Sequence, residues 1–169
     1  MRILIALWCA VAMSLPGSAG AQDDAPQTNC PQPEARQFDF WVGEWTVTSN
    51  GKPAGDNRIS NLHGGCTLFE EYTAARGGYE GKSFNYYEPT DGKWHQVWVD
   101  NGGLRLHLAG GLTDGSMILS GSRKAGEQTV VDRITWTPND DGTVRQLWES
   151  STDDGGTWTV AFDGLYTRK

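Results

Sequence analysis

The chain has 169 residues and a mass of 18.5 kDa, and its 14 Lys+Arg against 21 Asp+Glu give a net charge of −7. That length fits one domain, and an acidic chain with scattered Lys and Arg has no basic stripe to neutralise phosphates, so no nucleic-acid partner is expected. Aromatics at 11% with 22 Gly argue against disorder and for a turn-rich β protein with a real core.

In chain order, residues 1–21 read as an export signal: Arg2 supplies the positive start, residues 3–15 an apolar run, and residues 16–21 a small-x-small ending. An apolar run of about 13 residues is too short for the roughly 20 that cross a bilayer as a helix, so no membrane span is expected. The mature chain is expected to be exported from the cytoplasm. Residues 22–37 form a Pro-flanked N-terminal extension, and residues 38–169 the folded domain. With the signal removed, Cys30 and Cys66 remain in a compartment where disulfides persist, and they are expected to pair and tie the extension to the domain.

Residues 38–43 suit one short helical turn. From there, turn signals recur at Asn50-Gly51, Gly64-Gly65, Gly77-Gly78, Asp91-Gly92, Asn101-Gly102-Gly103, Asp114-Gly115, Gly126, Asp141-Gly142 and Gly155-Gly156. β-Branched and aromatic segments lie between them, as hairpin strands require. Nine turns imply about ten strands. Their long spacing, and the need to hide sheet edges, predict an all-β fold: a single antiparallel up-and-down β-barrel.

Alternation assigns the faces. Trp94, Gln96, Trp98 and Asp100 share one face of their strand, Val144, Gln146, Trp148 and Ser150 one face of another, and Tyr79, Gly81, Ser83, Asn85 and Tyr87 one face of a third. An interior holding Ser83, Asn85, Tyr87, Gln96, Trp98, Gln146 and Trp148 is unlike an aliphatic core. Buried amides and hydroxyls must be hydrogen-bonded, to each other, to water or to a ligand. Two readings stay open: a self-satisfied polar core, or an amphipathic pocket for a small-molecule ligand, with Arg133 as a further polar contact. Asp91-Gly92, Gln96 and Trp98 recur as Asp141-Gly142, Gln146 and Trp148, each offset by 50, which suggests two similar hairpins. The stretch from Ser151 to Trp158 fits a single Asp-box, read here as a turn in which Asp caps backbone N–H groups and Trp covers the bend.

Little points to catalysis. His63, His95 and His107 have no ligand spacing, no nucleophile elbow or phosphate loop is present, and Glu70-Glu71 point to opposite faces of any strand. No metal or cofactor is expected. Two rivals to a ligand-binding barrel are a surface module whose Trp residues stack on glycans, and a pocket enzyme using Arg133, Asp100 or Glu149.

The motifs FDFWVGEW at 38–45, LHGGC at 62–66, GKSFNYY at 81–87, GKWHQVWVD at 92–100, WTP at 136–138, VRQLWE at 144–149 and FDGLY at 162–166 resemble those of a bacterial exported, lipocalin-like family of unknown function. The resemblance spans residues 38–168 and implies a lipocalin-like barrel in the periplasm or outside a bacterial cell. Gly43-Glu44-Trp45 is also similar to the G-x-W of the calycin superfamily. That likeness implies that Trp45 packs with Arg168 from the last strand as a structural base plug. Calycin relatives that bind haem use a His late in the chain, and the final segment, 157–168, has none.

Overall fold

A computed structural model describes residues 30–169. The signal reading for 1–21 and the first part of the extension fall outside the described residues. Two 3-10 turns, Pro33–Arg36 and Asp39–Trp41, lead into ten strands: β1 Gly43–Ser49, β2 Lys52–Leu62, β3 Thr67–Ala74, β4 Glu80–Glu88, β5 Lys93–Asp100, β6 Arg105–Thr113, β7 Ser116–Ala125, β8 Gln128–Pro138, β9 Val144–Ser151 and β10 Thr159–Arg168. Each strand pairs antiparallel with its neighbour in sequence, and β1 pairs with β10, so the sheet is a single closed up-and-down barrel. Closure leaves no edge strand exposed.

The turns follow from local chemistry. Ser49 pairs with Lys52 across Asn50 (φ 50°) and Gly51 (φ 71°), and Thr113 pairs with Ser116 across Asp114 (φ 48°) and Gly115 (φ 80°). Positive φ at both central residues matches the right-handed twist of the flanking strands. The Asp-box is likewise a turn. Asp153 accepts from Thr157 N (2.8 Å), Thr157 Oγ1 (2.7 Å) and Ser151 Oγ (2.7 Å), and these bonds hold its carboxyl down at about 2.

One end of the barrel is packed solid. Phe38 stacks on Trp41 at 4.9 Å and meets Trp94 and Trp136 edge-on at 5.6 and 5.2 Å; all four rings are buried. Plugging begins ahead of residue 38, since Ala35 is buried and Gln37 accepts from Trp94 Nε1 (3.2 Å). Trp45 donates to the Trp41 carbonyl (2.9 Å), and the Arg168 guanidinium lies 4.3 Å over the Trp45 ring while donating to Val42 O (3.1 Å). Cys30 and Cys66 form a disulfide, and Cys30 N donates to Gly64 O (3.2 Å), so the incoming chain is fastened to the β2–β3 connection at this same end.

Candidate functional site

With one end filled by indoles, the free volume lies in the middle and at the opposite end. A cavity of about 170 Å³ is lined by Glu70, Tyr72, Tyr79, Gln96, Trp98, Leu106, Ile134, Gln146, Trp148, Ala161, Phe162 and Tyr166. Strand parity delivers these groups: Leu68, Glu70 and Tyr72 point inward from β3, Gln96 and Trp98 from β5, Gln146 and Trp148 from β9. In the ring of ten strands β5 and β9 stand four apart, so the two Gln-x-Trp pairs come from nearly opposite walls. In β10 the register slips between Val160 and Phe162, and this bulge at Ala161 turns Phe162 inward at the rim.

Close approaches make room for the aromatic walls. A Cβ at Gly81 would lie within the van der Waals surface of the Trp98 ring, and one at Gly164 within that of Phe162. Gly81→Ala should therefore force the Trp98 indole aside and cost about 2 kcal/mol, as overpacking does. Urea denaturation, read with Trp emission, checks it; an unchanged midpoint and spectrum would mean that Trp98 does not pack there.

The polar floor is a connected network. Glu70 is 3% exposed and accepts from Asn57 Nδ2 (2.8 Å) and Ser83 Oγ (2.6 Å). Ser83 Oγ in turn accepts from Asn85 Nδ2 (2.8 Å) and Gln96 Nε2 (3.3 Å). Tyr166 donates its hydroxyl to Gln146 Oε1. Burial raises the Glu70 carboxyl from its ordinary 4.5 to about 7, against the pull of its bonds from Ser83 and Asn57. Burial, and next the charge of Glu70, push the Tyr166 and Tyr72 hydroxyls up.

At the open rim two carboxylates fix the indoles. Asp100 accepts from Trp98 Nε1 (3.0 Å), Tyr79 Oη (2.7 Å) and Leu104 N (3.0 Å). Its partial burial would raise its carboxyl, but these bonds outweigh that and hold it below the ordinary range. Asp132 accepts from Trp148 Nε1 (2.8 Å), Ser150 Oγ (2.7 Å) and Arg123 Nε (2.7 Å).

Of the residues read from the sequence, Gln96, Trp98, Gln146 and Trp148 line the cavity. Ser83 and Asn85 lie behind it in the Glu70 network. Tyr87 sits toward the plugged end, edge-on to Trp94 at 6.5 Å. Arg133 is not a cavity contact. It lies on the outer face of β8, 4.0 Å over the Trp158 ring and 2.9 Å from Glu149, because β8 turns Val130, Asp132, Ile134 and Trp136 inward instead. The trio suggested for a pocket enzyme is thus divided, with Asp100 at the inner rim and Arg133 paired to Glu149 outside. Among the described residues no three His, Cys, Asp or Glu side chains gather as a metal-ligating group.

Glu70, Asp132, Tyr72 and Phe162 are site residues that the sequence reading did not single out. Phe69 and Phe84 give the outer face of β3 and β4 its own aromatic contact, at 5.0 Å. Both faces of β3 therefore carry apolar groups, and parity within the strand does not say which of Glu70 and Glu71 is inside. The closed ten-stranded antiparallel barrel is consistent with the broad calycin and lipocalin fold class. No protein-family model matches the chain, and no curated protein matches it.

Proposed function

We propose that the protein binds a small amphipathic molecule inside the barrel. The observation that carries this reading is the cavity itself: Trp98, Trp148, Tyr72, Tyr79 and Phe162 offer aromatic walls, and Glu70, Gln96 and Gln146 a few directional polar groups. Size narrows the class. A cavity of about 150 Å³ accommodates benzene, so the 170 Å³ here suits one ring with a short substituent rather than a lipid or a tetrapyrrole. The disulfide, together with the leader-like residues 1–21, supports action outside the cytoplasm. Trp45 under Arg168 at the plugged end supports kinship with lipocalin-like barrels.

Trp emission reads out occupancy. Titration with a library of substituted single-ring compounds should quench Trp98 and Trp148. Trp148→Ala is expected to weaken binding by about 2 kcal/mol and Gln96→Leu by about 1 kcal/mol. A library in which nothing quenches or binds by calorimetry would refute the proposal.

A further inference from the structure

We propose that the cavity selects an organic cation, a primary ammonium on a single ring, with its N–H groups bound by Glu70 and the Gln96 carbonyl and its ring among the aromatic walls. The inference rests on the reading of the barrel as a ligand-binding one and names the ligand's chemistry.

Hydrogen-bond direction is the first support. Ser83 gives its single hydroxyl proton to Glu70, so its oxygen can only accept from the amides of Asn85 and Gln96. Turning Gln96 over would set its carbonyl against an oxygen with no proton left to give. The amide N–H groups are thus directed into the network, and the carbonyl oxygens remain. Gln96, 2% exposed, is buried with Oε1 unpartnered; Asn57 Oδ1 and Asn85 Oδ1 are unpartnered too. A buried acceptor without a donor is costly, and Gln96 is the one of these three residues that lines the cavity, where a ligand N–H relieves that cost.

Charge is the second support. The cavity lining holds one carboxyl group, Glu70, and no Lys, Arg or His. At the rim Asp132 is matched by Arg123, whereas Asp100 is held by neutral donors only. With Glu70 ionised, as at pH 8, the field inside is therefore negative, and the rings of Trp98, Trp148, Tyr72, Tyr79 and Phe162 that line the cavity supply π surfaces suited to a cation. An ammonium loses hydration on entering, and the carboxylate, the carbonyl and the ring faces replace it. An anion would meet no compensating group.

The test uses the full, disulfide-bonded protein with two probes of like shape, benzylamine and benzyl alcohol, titrated by calorimetry at pH 8. Benzylamine should bind at least ~10-fold more tightly, the worth of one charge-assisted contact, and Glu70→Gln should shrink that preference to about 2-fold or less. A pH series on the unmodified protein gives the same information if the variant folds poorly. The groups facing Glu70 are Asn57 from β2, Ser83 from β4 and the hydroxyls of Tyr72 and Tyr166, both kept neutral, with Asp100, Tyr79 and the Arg123–Asp132 pair at the rim. Glu70, raised to about 7, changes its charge within the pH 5 to 8 range over which benzylamine stays cationic, so the preference should fall as the solution is acidified. Equal binding of both probes, or a preference independent of Glu70 and of pH, overturns the cation reading and leaves a binding barrel. Binding of neither overturns both.

Discussion

Raising the pH from 4.5 to above 7 is expected to cost the protein about 3 kcal/mol of folding stability relative to a Glu70→Gln variant. The carboxyl is held at about 7 when folded, against 4.5 ordinarily, and each unit corresponds to ~1.4 kcal/mol. Across that window the folded state keeps a proton that the unfolded state has released. The contribution is therefore fully present below pH 4.5 and is lost as the pH climbs through about 7. Carboxylates with depressed values act in the opposite sense: Asp153, held at about 2, stabilises above its ordinary 3.8 and stops doing so as the pH falls toward 2. Stability should accordingly peak in mild acid. Glu70→Gln is a fair reference, because Asn57 Oδ1 has no partner and can turn to accept the new amide N–H. Urea denaturation of both proteins at pH 5 and pH 8 measures the difference; parallel changes in the two would show that Glu70 ionises without a penalty.

Removing the disulfide by Cys30→Ser with Cys66→Ser is expected to cost about 4 kcal/mol, which in a domain of this size lowers the melting midpoint by roughly 10 °C. The bond closes a loop with a sequence separation of 36, so its loss returns conformational freedom mainly to the unfolded chain. It also fastens the folded segment that carries Ala35, Phe38 and Trp41 into the base of the barrel. Thermal unfolding of the double variant, and of the native protein with reductant, tests both aspects. Red-shifted Trp emission before the main transition would report Trp41 and its neighbours coming out of the plug. A midpoint that reductant does not move would mean that the aromatic contacts hold the base alone.

The barrel was legible because its turns are written in local chemistry: pairs such as Asn50-Gly51 and Asp114-Gly115 mark hairpins without reference to the rest of the chain. The faces of β5 and β9 were legible because Trp94, Gln96 and Trp98, like Val144, Gln146 and Trp148, stand opposite strands' worth of shorter or charged groups such as Lys93, Arg145 and Glu149. Glu70 was not. Its partners Asn57 and Ser83 each lie 13 residues away, and only the pairing of β3 with β2 and β4 brings them together. Arg133 shows the reverse. A cation beside an inward stretch suggests a site, but Asp132 holds the inward position, and Arg133 finds Trp158 and Glu149 outside.

Bromobenzylamine soaked into crystals of the protein would locate the ligand, since anomalous scattering finds the bromine without bias. The bromine is expected inside the barrel among Trp98, Trp148 and Phe162, with the amine nitrogen within hydrogen-bonding reach of Glu70 and Gln96. Bromine found only on the outer surface, with the middle of the barrel filled by its own side chains, would mean that the barrel holds no such ligand.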